Sequence, residues 1–308
     1  MEIAEGLLPV FFALAVGYAA GKSRLISNTH VDGFNTLVMS IALPIALFTI
    51  LAGSKRADVI EHGAVAGVVL LVMVVTYVGV FVLQRRIFKQ ATSAAAIQAL
   101  TVAFPNTAAV GLPLADSVLG STGQLAVAVS LAVGTITVSP ATIAIIGRAS
   151  GGAHRPSILR AILRALRSPV VIAPIAGIAW SLFGLPFPGL ASSTLSEIGM
   201  LTAGLALFLT GLVLSSQKLK LTPNVAVSTI IGGVIRPLLA IAVVKLVGMP
   251  STMAAETVLL LAVPSGFFGV LLALRSRIDP GLAGATLFYS TLLSIVTLSI
   301  VILLLPAL

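Results

Sequence analysis

Residues 96–120 read AIQALTVAFPNTAAVGLPLADSVLG, and residues 258–275 read VLLLAVPSGFFGVLLALR. Each is an apolar run interrupted near its middle by a proline, Pro105 in the first and Pro264 in the second. A proline removes one backbone donor and presses on the carbonyl four residues back. Within hydrocarbon, the groups orphaned in this way must find partners inside the protein. Asn106, Thr107 and Ser265 stand at the two interruptions with side-chain donors and acceptors, and Gly111 and Gly266 permit close backbone approach. Two arrangements fit: a pair of ordinary proline kinks, or two broken helices that cross near the bilayer midplane. A crossing aims two half-helix amino termini at one spot, each carrying about half a positive charge. Such a spot suits a carboxylate.

The composition puts these runs in a membrane. Of 308 residues, 58% are hydrophobic and only 9% charged, and the mean hydropathy is +1.16. A soluble domain carries roughly 25% charged residues. The apolar runs are about 20 residues long, as a helix crossing a hydrocarbon core of about 30 Å requires. They do not alternate in polarity, which excludes a membrane β-barrel. Cysteine is absent, so disulfides, thiolate nucleophiles and thiolate metal sites are excluded as well. The first run follows Glu2 and Glu5 rather than a basic leader, and Lys22 and Arg24 come after it, so it reads as a permanent helix and not as a signal peptide.

Ten spans are expected, at 3–21, 34–53, 64–83, 94–115, 124–146, 169–183, 195–214, 225–247, 253–274 and 281–305. The loops after the odd-numbered spans hold 14 of the 18 basic residues: Lys22, Arg24, Arg85, Arg86, Lys89, Arg148, Arg155, Arg160, Arg164, Arg167, Lys218, Lys220, Arg275 and Arg277. The opposite loops hold Lys55 and Arg56 alone. The positive-inside rule therefore places the odd loops in the cytoplasm and both termini outside. The net charge of +9 is accounted for by this topology, with no nucleic-acid partner implied.

The two halves match at an offset of 160 positions: Pro9, Ala13 and Gly17 meet Pro169, Ala173 and Gly177; Ala46, Leu47 and Phe48 meet Ala206, Leu207 and Phe208; Ser130, Thr137 and Ser139 meet Ser290, Thr297 and Ser299. Pro105 meets Pro264 at an offset of 159. Residues 1–146 and 169–308 are thus expected to form two five-helix repeats joined by a cytoplasmic linker, 147–168. An odd number of spans per repeat makes the second run inverted across the membrane, as in many secondary transporters.

Charges within the spans are few. Arg236, followed by Pro237, lies in the middle of the eighth span. A charge at that depth costs at least about 2.5 kcal/mol and requires a partner. Either a bound anion or backbone carbonyls freed by a broken helix could serve. Lys245 lies near the outer end, from where it snorkels to the headgroups. Asp116 and Glu256 sit toward outer helix ends, and His30, His62 and His154 fall in loops. No proton relay is apparent in the core, although sodium or proton coupling stays open. Sodium could use backbone carbonyls and the hydroxyls of Thr107 and Ser265. An intramembrane enzyme is disfavoured: neither HExxH nor a GxGD aspartate pair occurs, and the one Ser–Lys pairing, with Lys245, is poorly placed.

The segments LLPVFFALAVGYAAGK, LPIALF and FPNTAAVGLPLADSVLG resemble the auxin efflux carrier family, which includes the plant PIN-formed carriers and bacterial permeases often labelled malonate transporters. The resemblance covers essentially the whole chain. It implies an all-α polytopic fold in which the fourth and ninth helices cross at their prolines and hold a small organic anion. On this chain it points to Pro105, Asn106 and Pro264, with Ser265 as a weaker candidate. Thr107 and Gly266, beside the breaks, and Arg236 complete the candidate substrate-binding set; no metal site is expected. The expected protein is a secondary carrier, not an enzyme, working by an elevator-like or rocking shift of the crossed bundle. Its expected location is the bacterial inner (cell) membrane. Its partners are the anion and the lipid bilayer, with homodimerisation kept open. The alternative is a sodium-coupled symporter of the bile-acid-carrier type, which shares ten spans and crossed helices but carries acidic and amide side chains at its sodium sites.

Overall fold

A computed structural model describes residues 2–149, 160, 163, 167–217 and 219–307. The described residues are helical throughout, with no strand beyond one isolated β-bridge. Gly151, Gly152, His154, Arg155, Pro156 and Arg164 of the linker, together with Lys218, lie outside the described residues.

Among the described residues, six helical runs are long and apolar enough to cross a membrane: Asn28–Gly53, Arg56–Arg86, Thr122–Ala149, Gly189–Ser215, Pro223–Leu246 and Gly281–Ala307. Shorter apolar helices flank both proline breaks. The exposed faces establish that the solvent is lipid. On α5 (Gly63–Arg86), Leu70, Leu71, Val74, Val75, Val78 and Val82 point outward while Met73, Thr76, Tyr77 and Gln84 are buried. On α17 (Gly281–Leu304), Leu292, Ile295, Val296, Ile300 and Leu303 are exposed, and Ser290, Thr291 and Ser294 are buried. Hydroxyls inside and branched aliphatics outside would be a severe aggregation liability in water.

The chain divides into two compact units, each drawing on both sequence halves. The first comprises Met1–Gly67, Thr107–Ala132 and Leu166–Ser216; the second comprises Val68–Asn106, Val133–Ala165 and Gln217–Leu308.

In the first unit, α1 (Glu2–Lys22) packs on α12 (Leu201–Ser215), and α3 (Leu43–Gly53) packs on α10 (Pro169–Leu182) and α11 (Gly189–Gly199). With no hydrophobic drive between helices in lipid, close backbone approach through small residues supplies the contact. A Cβ added at Gly17 would collide with the Phe208 carbonyl oxygen, and one at Gly211 with that of Leu14. At Gly177 it would lie 2.8 Å from Leu51 Cβ and 3.0 Å from the Phe48 carbonyl oxygen.

Among the described residues, three wide π-type segments occur: Val38–Ala42 and Ile231–Ile235 within helical runs, and Thr107–Gly111 just after the first break. Each ends two residues before a proline, Pro44, Pro113 or Pro237. The proline ring displaces the carbonyl one turn back and supplies no N–H, so the ladder locally widens.

Gly17→Val is expected to lower the melting temperature of the detergent-solubilised protein, reflecting roughly 1–3 kcal/mol of overpacking. A melt superimposable on that of the unsubstituted protein would contradict the close α1–α12 contact.

Candidate functional site

The second unit contains the crossing of the two breaks. Helix α6 (Thr92–Ala103) stops just before Phe104, and α15 (Ser251–Ala262) stops just before Val263. Pro105 and Ser265 then meet in an antiparallel bridge. The Asn106 amide donates to the Pro264 carbonyl at 2.9 Å, and the Gly266 amide to the Thr101 carbonyl at 2.9 Å. Beyond the crossing, α16 (Phe268–Arg275) resumes the second segment. The other segment resumes through Thr107–Gly111 into α7 (Leu112–Leu119), which belongs to the first unit.

Shape and stacking allow this approach. A Cβ at Gly266 would collide with the Phe104 carbonyl oxygen, and one at Gly269 with Thr101 Oγ1. At Gly232 it would come within 2.8 Å of Ser265 Oγ. Phe104 stacks on Phe268 with ring centroids 5.0 Å apart, and Phe268 continues to Phe267 at 5.1 Å.

The polar groups are divided differently from the sequence expectation. The backbone amides of Asn106, Ser265 and Gly266 are engaged: the first and last close the crossing, and Ser265 N–H donates to Ser290 Oγ at 3.1 Å. The side chains of Asn106, Thr107 and Ser265 were expected to satisfy orphaned backbone groups. They do not: Asn106 Oδ1 and Nδ2, Thr107 Oγ1 and Ser265 Oγ are all buried without a hydrogen-bond partner among the described residues. Leaving such a group unmade costs about 1–3 kcal/mol each. The orphaned carbonyls go instead to Arg236. Its Nε donates to the Leu261 carbonyl at 2.8 Å, Nη1 to the Val102 carbonyl and Nη2 to the Val263 carbonyl. Of the two partners weighed for Arg236, an anion or freed carbonyls, the structure pairs its donors with carbonyls.

Pro105, Asn106, Pro264, Ser265, Gly266 and Arg236 therefore come together within one unit. Thr107 adjoins Asn106 in the chain but falls in the other unit. Ser290 is the residue that sequence reasoning missed. Its alignment with Ser130 under the repeat was the available signal, although nothing in the sequence showed that its hydroxyl would accept from Ser265. A separate cavity of about 110 Å³ in this unit, lined by Gln98, Asp279 and neighbours, includes none of the candidate residues.

An all-helical chain with apolar faces outward and two helices broken and paired in its interior is a multi-pass membrane protein. The chain belongs to the membrane transport protein family, that of the auxin efflux carriers, whose family model matches residues 2–302. It is 29% identical to "Uncharacterized transporter YfdV" of Escherichia coli (strain K12), over 94% of each chain. It is 26% identical to an "Uncharacterized transporter" of Methanothermobacter thermautotrophicus, over 97% of each. It is 25% identical to a "Putative malonate transporter" of Rhizobium meliloti (strain 1021), over 97% of this chain and 94% of that one.

Gly266→Ala is expected to break the crossing, with a loss of at least about 1–3 kcal/mol read as a lower melting temperature. A variant melting like the parent would show that the backbones do not approach as closely as described.

Proposed function

We propose that the protein is a secondary carrier for a small organic anion, a mono- or dicarboxylate, bound at the crossing of the two broken helices. The observation that carries this reading is the Asn106 side chain, buried and unpartnered at both its amide nitrogen and its oxygen. An asparagine amide supplies two donors and one acceptor. With the Ser265 hydroxyl beside the same bridge, it offers donors to a carboxylate in a place screened from water. Donors aimed at an ionised acceptor contribute about 1.5–3 kcal/mol each. A relative carried under the name of a malonate transporter makes malonate the natural first ligand to try.

The carrier has ten spans in two inverted repeats, 1–146 and 169–308, joined by the linker 147–168. The packing supports this. Shifting every number by 160 turns the contact of Gly17 with Phe208 into that of Gly177 with Phe48. The compact units also group matched spans: the first and second with the sixth and seventh in one, most of the third with the eighth in the other. The membrane is the bacterial inner (cell) membrane, with the basic loops in the cytoplasm and both termini outside. A negative interior drives anion export by about 2.3 kcal/mol per charge per 100 mV, so efflux or facilitated exchange is the direction that requires no coupling ion.

Asn106→Ala should weaken malonate binding roughly 10- to 100-fold (about 1.4 kcal/mol per tenfold) and cut saturable malonate uptake into proteoliposomes accordingly, without changing the elution volume or lowering the melting temperature. Uptake at the parental rate would exclude the crossing as the site. For topology, single cysteines can be placed in this cysteine-free chain. Lys55→Cys should react with an impermeant maleimide on right-side-out membranes, and Ser23→Cys only after permeabilisation. The reverse pattern would invert the orientation.

A further inference from the structure

A helix that stops inside the protein leaves its last carbonyls unpaired, and that end carries about half a negative charge. Two helices stop at the crossing, α6 at Ala103 and α15 at Ala262. The carbonyls of Val102, Leu261 and Val263 lie at those two ends and converge on one spot. In carriers built on unwound helices, carbonyls of this kind coordinate a coupling cation. Here the spot is filled by the guanidinium of Arg236, wholly buried and bonded through Nε, Nη1 and Nη2 to one carbonyl each.

The fit is specific to a planar cation with forked donors. Three N–H groups diverge in one plane toward three carbonyls from two different helices. A lysine ammonium, a compact point charge, would reach fewer of them. The helix that delivers the guanidinium is adapted to bring it there. The wide segment Ile231–Ile235 ends just before Arg236, and Pro237 follows. Gly232 lets that segment approach Ser265 Oγ.

We propose that Arg236 is a tethered countercation: its guanidinium occupies the carbonyl cage that a free ion would otherwise fill and ties both broken helices to the eighth span. Arg236 is thus a positioning residue acting through the backbone of the crossing. It also gives the crossing a fixed positive charge that never exchanges with solution. That last consequence, a standing attraction for an anionic solute, rests on the carboxylate reading above; the cage itself does not.

The decisive experiment measures the melting temperature of purified Arg236→Ala, Arg236→Met and Arg236→Lys proteins in choline, sodium and methylguanidinium chlorides at equal millimolar concentration. Arg236→Ala opens the cage, and its lowered melting temperature should rise saturably by a few degrees with methylguanidinium or sodium but not with choline, as binding to the folded state requires. The unsubstituted protein, with its cage already filled, should respond to none of them. Arg236→Met fills the space without charge and should gain nothing, and Arg236→Lys should melt above Arg236→Met. Arg236→Ala unresponsive to both cations, or Arg236→Met at least as stable as Arg236→Lys, overturns the proposal. If Arg236→Ala does not yield folded protein, the comparison of Lys with Met decides alone. Malonate binding is scored separately. Cation rescue without malonate binding to the parent protein leaves the countercation standing and removes the carboxylate reading; malonate binding without cation rescue does the reverse.

Discussion

The architecture of the second unit depends on one constraint: backbone groups broken out of a helix within hydrocarbon have no water to turn to. Pro105 and Pro264 each break a span, and the released groups are reconciled with one another. Two amides bond across the crossing, from Asn106 to Pro264 and from Gly266 to Thr101. The carbonyls left at the helix ends converge on Arg236, and the Ser265 amide finds Ser290. Beside these paired backbone groups, side-chain polar atoms are left without partners. Asn106 and Ser265 hold valences that no neighbour takes. The proposed solute site consists of these unpartnered side-chain groups, which is why it is placed at the breaks.

The first unit solves a different problem by simpler means. Its helices meet through Gly17, Gly177, Gly199 and Gly211, where a side chain would strike a facing helix. Such packing needs no polar network. Its aromatic cluster of Phe48, Trp180 and Phe187, with ring centroids 5.9 to 6.4 Å apart, fills the remaining gaps. Close approach at glycines and aromatic contacts serve both units; what sets the second apart is the buried arginine at its broken helices.

Much of this was legible in the sequence. Apolar runs of about 20 residues marked the membrane, because nothing else tolerates them. The two prolines marked the breaks, and the glycine two residues after Pro264 marked a close approach. What stayed illegible depends on where distant segments arrive. Arg236 could have sought an anion or a carbonyl, and the choice lay with Val102, 134 residues away. The bonds of the Asn106 and Gly266 amides could not be read either, because each one's acceptor sits on the other broken segment. The three π-type segments carried a signal that went unread, a proline shortly downstream in every case. The interleaving of the two compact units could not be read from hydropathy, which reports spans one at a time.

The proposed role of the crossing is tested most directly by an experimental structure of the protein in a lipid nanodisc with malonate. The account predicts a carboxylate oxygen within about 2.7–3.2 Å of Asn106 Nδ2, with the bridge between Pro105 and Ser265 intact and Arg236 still on its three carbonyls. Malonate bound elsewhere, with the Asn106 amide turned onto a protein partner, would contradict it.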